Sequence, residues 1–285
     1  MHLPEPAYTV TDPDGKHKYQ IELPSGGTIR ELESVTGVLN VINKPALINW
    51  ATKTACDLIQ GRLSCVVGQR IELTEEWING VVAEGRKRPK AIKDEAANLG
   101  TMAHEAFEEI MAGRAPKVPT AIQSAIEEFK KWFDSSNTEI VATELPIASE
   151  LNRFGGRLDA VGYRNGTWGI LDWKTGSGIY GEYALQTAGG YAIAMEEQYP
   201  GVKIEWVDIV RFSKKEPWGS EVRPVVALEV ARDGFLSALR LSRALKVGLI
   251  GQPSYTTFAA VAAEAENLRR ESKQKSKEKT SLVGF

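Results

Sequence analysis

Two aspartates and a lysine lie on neighbouring stretches that we predict to be the strands of one hairpin. Asn165-Gly166 is a strong signal for a two-residue turn, because a type I′ turn needs positive φ at both central positions. With that turn, Asp159 lies directly opposite Asp172, and Lys174 follows on the same face. Two carboxylates placed across a sheet among apolar residues repel and desolvate each other. The pair therefore requires a positive partner.

Three kinds of partner are open for these carboxylates. A divalent metal ion gains most from two convergent carboxylates, and a shared proton would make them an acid/base pair. Lys174, or Arg157 opposite it in the predicted hairpin, could instead form plain ion pairs with them. A metal beside a lysine ammonium is what phosphodiester hydrolysis requires, because the metal lowers the pKa of water and the ammonium orients that water or stabilises transition-state charge.

His104 is a third candidate ligand. The chain has three histidines, and the other two, His2 and His17, fall in the N-terminal segment. The helix predicted around His104 places Gly100 one turn earlier, which permits close approach to a sheet, and Glu108 one turn later on the same face. A lone helical histidine is also common as a half-buried structural residue, so spacing alone leaves both roles open.

The first half of the chain is predicted to be mainly helical. Residues 7–23 predict a hairpin around a turn at 12–15, and Ser34 is a candidate helix N-cap. A helical pattern of roughly 100 residues then continues to about residue 134 and includes a helix over 91–111.

The second half alternates strands and helices and predicts the fold class. Strands are predicted at 139–149, 155–164, 167–175, 203–212 and 222–230. Helices are predicted at 180–199, at 231–249 and from near Thr257. This order predicts an α/β or α+β core with a central mixed sheet flanked by helices, preceded by the N-terminal hairpin and the helical region.

Composition excludes several classes of protein. The 285 residues are 42% hydrophobic and 25% charged, which is ordinary globular usage. No stretch approaches the ~18 apolar residues of a membrane span, and the N-terminus has no signal-peptide pattern, so we expect a cytoplasmic protein without membrane contact. The net charge is −2, so any basic surface must be local. Cys56 and Cys65 are too few for a four-thiolate iron–sulfur cluster and are expected to be buried.

Four motifs occur in a fixed order along residues 95–215. They are G-x-x-x-H ending at His104, G-x-x-D ending at Asp159, D-x-K ending at Lys174, and Gln186 with Tyr191 on the following helix. This set resembles the PD-(D/E)XK nuclease superfamily, and more narrowly its RecB-like exonuclease branch. The segment beginning at Ser34 is also similar to the opening of bacteriophage members and of the mitochondrial genome-maintenance exonucleases.

The resemblance implies a restriction-endonuclease-like core and a metal site. His104, Asp159 and Asp172 would coordinate Mg²⁺ or Mn²⁺, with the backbone carbonyl of Trp173 as a further ligand. An imidazole ligand makes Mn²⁺ a credible partner beside Mg²⁺. Glu144, on the preceding strand, matches an acid often found there, although a solvated strand residue is an equally good interpretation.

The resemblance also implies roles for the lysine and the following helix. Lys174 would position or activate the attacking water, and Gln186 with an aromatic residue would hold the DNA strand and support the lysine. The family's Gln and Tyr are usually four residues apart, whereas Gln186 and Tyr191 are five apart, about 140° around a helix. Either Tyr183 takes the role, or a π-bulge restores the shared face.

Local basic groups are the candidate DNA contacts. Arg157 is predicted beside the acids, and Arg211, Lys214 and Lys215 follow the fourth core strand. A further basic loop is predicted just before the His104 helix, formed by Arg86, Lys87, Arg88 and Lys90. Each of these residues is also compatible with an ordinary solvated surface charge.

From the motifs we divide the chain into four segments. They are an N-terminal hairpin appendage (1–33), a helical region that caps the cleft and supplies His104 (34–134), a nuclease core (135–255), and a C-terminal helix with a charged tail (256–285). Six Lys or Arg against two Glu fall within 269–279, which suits either a solvated tail or a phosphate-contacting arm.

The motifs together predict a metal-dependent DNA exonuclease acting on single-stranded or end-containing duplex DNA. We expect a setting in recombination, repair or replication in a bacterial or phage-infected cell. There is no P-loop motif, so we expect no nucleotide cofactor, and any helicase or strand-annealing protein would be a separate chain. The alternatives are a structure-selective or single-strand endonuclease of the same fold, a non-catalytic DNA-binding recombination accessory, and a glycosidase using Asp159 and Asp172 as its acid/base pair.

Overall fold

The structure is a computed structural model that describes residues 1–13, 15, 17–69, 72–215 and 219–247. The predicted C-terminal helix and basic tail lie outside these residues. The division of the chain at residues 33, 134 and 255 stays a prediction. No helix in the described ranges is long and apolar enough to cross a membrane.

A small antiparallel sheet forms at the N-terminus. Its strands are β1 (Thr9–Thr11), β2 (Gln20–Glu22) and β3 (Thr28–Ile29). The pairing of Val10 with Ile21 confirms the predicted hairpin. Alternation along these strands directs one face into a small core, formed by Tyr8, Val10, Tyr19, Ile21, Leu32 and Ala148.

The helical region contains one short and three long helices. After a two-residue strand, β4 (Glu33–Ser34), come α1 (Val35–Val38), a 3₁₀ turn (Leu39–Val41), α2 (Pro45–Ser64), α3 (Glu75–Met111) and α4 (Thr120–Ser135). Ser34 caps α1, because its hydroxyl accepts a hydrogen bond from the Gly37 N–H at 3.0 Å. Thr74 caps α3 through the N–H of Trp77 at 3.2 Å.

Helix α3 corrects one prediction, because the predicted basic loop is part of this helix. Arg86, Lys87, Arg88 and Lys90 surround Pro89, which lies inside α3. Strong helix formers on both sides of the proline offset its lost hydrogen bond. Packing against α2 also holds this half of the helix, since a Cβ at Gly85 would come within 2.8 Å of Ile59. The two cysteines were also predicted wrongly, because both are exposed and free.

The rest of the described chain builds the central sheet and its second helical layer. Its strands are β5 (Glu139–Ser149), β6 (Phe154–Arg164), β7 (Thr167–Lys174), β8 (Ile204–Phe212) and β9 (Ser220–Pro224). Its helices are α5 (Gly181–Ala184), a π-helix (Leu185–Tyr191), α6 (Ala192–Gln198) and α7 (Leu228–Lys246). The last strand is shorter than predicted, because the apolar residues after Pro224 lead into α7.

Among the described residues, strand β6 pairs with three other strands of a six-stranded mixed sheet. Strand β5 pairs antiparallel along nearly the whole of β6 and therefore occupies one of its edges. The other edge is shared, since β4 pairs parallel with residues 154–155 and β7 pairs antiparallel with residues 160–164. Strand β8 then adds parallel to β7, and β9 antiparallel to β8. Residues 156–159 have no strand partner on the shared edge within the described chain, which leaves a gap in the sheet.

Helices cover both faces of this sheet and confirm the predicted fold class, a mixed sheet flanked by helices. On one face α1, the π-helix, α6 and α7 pack over Phe154, Val161 and Ile170. On the other face α3 and α4 pack over Leu171, Trp173 and Phe212. The rings of Phe107 (α3) and Phe129 (α4) stack at 4.0 Å, and both meet the buried Trp173 ring edge-on. This aromatic cluster anchors the half of α3 that carries His104.

Candidate active site

The predicted turn is confirmed, and it sets the register of β6 and β7. Asn165 and Gly166 have φ values of 51° and 82°, as a type I′ turn requires. The predicted pairs follow from Arg164↔Thr167 to Ala160↔Leu171. The ladder ends there, so neither Asp159 with Asp172 nor Arg157 with Lys174 forms a cross-strand pair. The strands separate at the gap in the sheet, beside the acids.

The Asp159 carboxylate takes the place of the missing backbone partner. The N–H of Trp173 donates to Asp159 Oδ2 at 2.7 Å. This bond satisfies a backbone donor that the ladder leaves without a partner. It also fixes the Asp159 carboxylate beside the last residues of β7, where side-chain geometry, and not strand pairing, brings the two acids together.

Both acids converge on the Lys174 ammonium. Lys174 Nζ lies 2.6 Å from Asp172 Oδ2 and 3.9 Å from Asp159 Oδ2. Burial raises the pKa of Asp172 to about 6, because the cost of desolvation and the neighbouring Asp159 outweigh the attraction of Lys174. Burial alone would lower the pKa of Lys174, but the two carboxylates raise it above its usual value.

Asp172 is incompletely satisfied in its buried position. The residue is 1% exposed, and its Oδ1 has no hydrogen-bond partner among the residues the structure describes. Its Oδ2 has the ion-pair contact with Lys174. A buried carboxylate oxygen without a partner is costly, so this atom favours the approach of a further cation.

His104 lies between three oxygen atoms at the gap in the sheet. Its Nδ1 is 3.2 Å from Glu144 Oε1 and 3.8 Å from Asp159 Oδ1, and its Nε2 is 3.1 Å from the Trp173 carbonyl oxygen. Burial alone would lower the pKa of His104, but Asp159 and Glu144 outweigh it and raise the pKa to about 9. Without a metal ion the imidazole is therefore protonated at neutral pH.

A strained backbone accompanies Glu144 at this position. Its φ of 46° is left-handed, which is uncommon for a non-glycine residue. Glu144 interrupts the β5–β6 ladder between the pairs Thr143↔Ala160 and Leu145↔Leu158. Such strain costs on the order of 1–3 kcal/mol and clusters at functional sites. The sequence identified Glu144 as a candidate acid, but it contains no signal for this conformation.

The residues present fit a divalent cation. One ligand atom each from His104, Glu144 and Asp159 lies within 4.8 Å of the others. Two carboxylates and an imidazole suit Mg²⁺ or Mn²⁺. Asp172 and the Trp173 carbonyl are predicted ligands outside this set of three, and their ligand roles stay predictions.

The π-helix brings Gln186 and Tyr191 together. Gln186 Nε2 donates to the Tyr191 hydroxyl at 2.9 Å, although the two residues are five apart. A π-turn bonds residue i to residue i+5, so it places them on one face where an α-helix would separate them. The Tyr191 ring packs on Gly156, where a Cβ would come within 2.5 Å of the ring. This contact explains the glycine of the G-x-x-D motif.

Tyr183 also reaches the site. Lys174 Nζ lies 5.0 Å from the centre of the Tyr183 ring, within the range of a cation–π contact. The sequence offered Tyr183 and a π-bulge as alternatives for the aromatic partner. Both occur together, with Tyr183 against the lysine and Tyr191 against the glutamine.

Two of the predicted DNA-contacting residues, both arginines, have acidic protein partners. Arg157 lies 3.6 Å from Asp12 of the N-terminal hairpin, a contact for which the sequence gave no signal. Arg211 pairs with Glu221 on β9 at 2.9 Å. Lys214 is half-buried, and burial, followed by its neighbour Lys215, lowers its pKa. Their roles toward DNA stay predictions.

Comparison with known proteins adds little to this geometry. No protein-family model matches the chain, and no curated protein matches it. Among solved structures, an alkaline exonuclease from Laribacter hongkongensis is similar at 14% identity with a TM-score of 0.28, over 51% of this chain and 81% of that chain. A likeness of this size does not define the activity of this chain.

Proposed function

We propose that the chain is a metal-dependent deoxyribonuclease that hydrolyses phosphodiester bonds, acting as an exonuclease on single-stranded or end-containing duplex DNA. The observation that carries the proposal is the convergence of Lys174 Nζ on Asp172 at 2.6 Å and Asp159 at 3.9 Å, directly beside the ligand set of His104, Glu144 and Asp159. These three residues, together with Asp172, would hold a divalent ion, which would provide Lewis-acid chemistry at the scissile phosphate.

The lysine acts as a hydrogen-bond donor and a fixed positive charge. Its raised pKa keeps the ammonium protonated at neutral pH. The ion pair with Asp172 orients Nζ, which then donates to the attacking water or to a phosphate oxygen as negative charge develops there. A protonated lysine does not remove the proton of the water, so that proton passes to a carboxylate of the site or to solvent.

The π-helix packs beside the acids and the lysine. The Gln186–Tyr191 bond and the Tyr191–Gly156 contact fix the helix against the start of β6, next to the gap in the sheet. Gln186 and the Tyr183 ring against Lys174 then form the wall along which a DNA strand reaches the acids. A role in phage or bacterial recombination, repair or replication, in the cytoplasm and beside a separate helicase or annealing protein, rests on the motif resemblance.

The proposal is tested by incubating end-labelled linear and circular DNA, single- and double-stranded, with Mg²⁺, Mn²⁺ or EDTA. Lys174→Ala is expected to lower kcat about 10²- to 10⁴-fold, because it removes a transition-state charge contact. Asp208→Asn is the matched control, since Asp208 is a buried acid on the next strand with its own partner, Arg164, at 2.7 Å. This control is expected to keep wild-type kcat.

Each outcome of this assay assigns a different activity. Metal-dependent loss of linear DNA alone supports the exonuclease, whereas cutting of circles indicates the endonuclease of the same fold. Binding without cleavage indicates the non-catalytic accessory. Full turnover of a glycoside substrate in EDTA would indicate the acid/base pair of a glycosidase, in which Lys174 has no role.

A further inference from the structure

A half-exposed tyrosine stands beside the candidate active site and has no role in the chemistry above. Tyr180, just before α5, is 48% exposed. Its hydroxyl lies 3.2 Å from Ser177 Oγ, and this hydrogen bond restrains the ring. An exposed but restrained aromatic ring is a ready surface for stacking another flat ring.

Two ring contacts connect Tyr180 to the lysine. Its ring meets the Tyr183 ring edge-to-face, with centres 5.7 Å apart and planes at 67°. The Tyr183 ring in turn lies 5.0 Å from Lys174 Nζ. The Tyr183 ring therefore connects Tyr180 to Lys174, and a base stacked on Tyr180 lies one ring contact away from the ring that meets the lysine.

Tyr180 also forms one wall of an apolar groove of about 380 Å³. The other walls include Ile179, Pro224, Val226 and Val230. Val226 and Val230 are 92% and 70% exposed, which is unusual for apolar side chains placed together. At the rim lies the guanidinium of Arg223, whose side chain is 62% exposed.

We propose that Tyr180 and this groove bind one unpaired nucleobase of the DNA strand next to the scissile phosphate. The inference rests on the proposed function and specifies its substrate, a strand whose end is single-stranded or frayed. Arg223 shares the carboxylate of Glu221 with Arg211, so these three groups keep one excess positive charge, which matches a polyanionic strand. Stacking on Tyr180 tolerates every base, because each base has a π-face. A base within a duplex already has both faces stacked on its neighbours, so only an unpaired or frayed base is free to stack on Tyr180.

The test places the fluorescent base 2-aminopurine at each of the first few positions of a single-stranded oligonucleotide. Complexes are formed with Ca²⁺ in place of Mg²⁺, and the emission of the bound probe is compared between variants. Emission is expected to be low with wild type and Tyr180→Phe at one position, and higher with Tyr180→Ala. In Mg²⁺ turnover, Tyr180→Ala is expected to raise KM about 5- to 100-fold with kcat retained. An abasic site at that position should abolish the difference.

Tyr163→Ala is the control for a general loss of packing. Tyr163 is a half-buried tyrosine that contacts Trp168 at the far end of β6, away from the site. An equal loss in Tyr163→Ala, or equal emission and KM in wild type and Tyr180→Ala, overturns the nucleobase subsite and leaves the nuclease proposal standing. Tyr180-dependent emission together with no cleavage by wild type supports the subsite and overturns the nuclease proposal.

Discussion

Asp172 on β7 and Asp208 on β8 are two buried aspartates on paired strands, and each meets a cation. Asp208 accepts a 2.7 Å hydrogen bond from Arg164, whose guanidinium also lies 3.7 Å from the centre of the Trp206 ring. Asp172 shares the Lys174 ammonium with a second acid, Asp159, and among the described residues neither of its oxygens has a hydrogen-bond partner beyond the ion-pair contact of Oδ2. The pair of Asp208 and Arg164 contains one carboxylate and one cation. The site of Asp172, in contrast, contains two carboxylates and one lysine ammonium.

This difference separates a structural ion pair from a site prepared for a ligand. A complete pair holds the sheet together and needs nothing more. An excess of buried carboxylates is unfavourable until another cation binds to them. Favourable packing in the rest of the protein must offset this cost. The strained Glu144 and the gap beside β6 belong to the same end of the sheet, so the unfavourable features lie together.

The largest expected effect of removing a single polar interaction is at the pair of Asp208 and Arg164. Asp208→Ala should lower the free energy of unfolding by about 2–3 kcal/mol, somewhat less than for a fully buried pair because Arg164 is partly exposed. Urea unfolding measures this change, and activity per folded molecule should stay at the wild-type level. If the Asp208→Ala variant stays folded but loses turnover, Asp208 is not a purely structural acid, and the distinction between a structural pair and a ligand site is wrong.

The next effect is a pH dependence of the free energy of unfolding of the metal-free protein, caused by His104. The pKa of His104 in the folded protein, about 9, lies above its ordinary value of 6.5. Protonated His104 therefore contributes its whole stabilisation of the fold below pH 6.5, and this contribution is lost as the pH rises to 9. The half-buried imidazole gives a loss of about 2 kcal/mol over that window. Urea unfolding in EDTA at pH 6.5 and pH 9 measures it.

His104→Gln is expected to flatten this pH dependence, while Asp208→Asn should keep it. The rise in the pKa of Asp172 acts below this window, from about pH 4 to pH 6, and therefore does not contribute to the slope. An unchanged slope in His104→Gln would show that another group carries the titration.

The smallest effect is at the neutral hydrogen bond that supports the site. Tyr191→Phe removes the hydroxyl that accepts from Gln186 Nε2 but keeps the ring on Gly156. It should lower the free energy of unfolding by about 1 kcal/mol, in the range of a single neutral hydrogen bond. Tyr191→Ala, which also removes the packing, should cost about 3 kcal/mol or more. Equal losses in the two variants would assign the whole effect to the hydroxyl.

Some parts of the site follow from short-range sequence rules. The Asn165-Gly166 turn and the alternation of the flanking strands predicted the register as far as Ala160↔Leu171. Ser34 and the pattern of apolar residues predicted where helix α1 begins. These features depend on a few neighbouring residues, whose φ preferences and hydrogen bonds act locally.

Other predictions went wrong where long-range packing overrides local preference. The basic residues from Arg86 to Lys90 were predicted to form a loop before the His104 helix, but contacts with α2 hold one helix through them. The continued ladder from Asp159 to Asp172 was wrong, because β4 and β7 share one edge of β6 and leave a gap between them. The contact of the Arg157 guanidinium with Asp12 was not predicted, because it joins residues that are far apart in the chain.

By itself, the sequence predicted His104, Asp159, Asp172 and Lys174 as the side chains of a site. It also determined the turn and the strand and helix order that bring them near one another. Only the tertiary structure decided the π-turn that joins Gln186 to Tyr191, the left-handed backbone of Glu144 and the missing partner of Asp172. The physical reason is the distance along the chain over which each interaction acts. Residue types and turns are set by neighbours in the chain, whereas a gap in a sheet or an unpaired buried oxygen depends on which distant elements pack there.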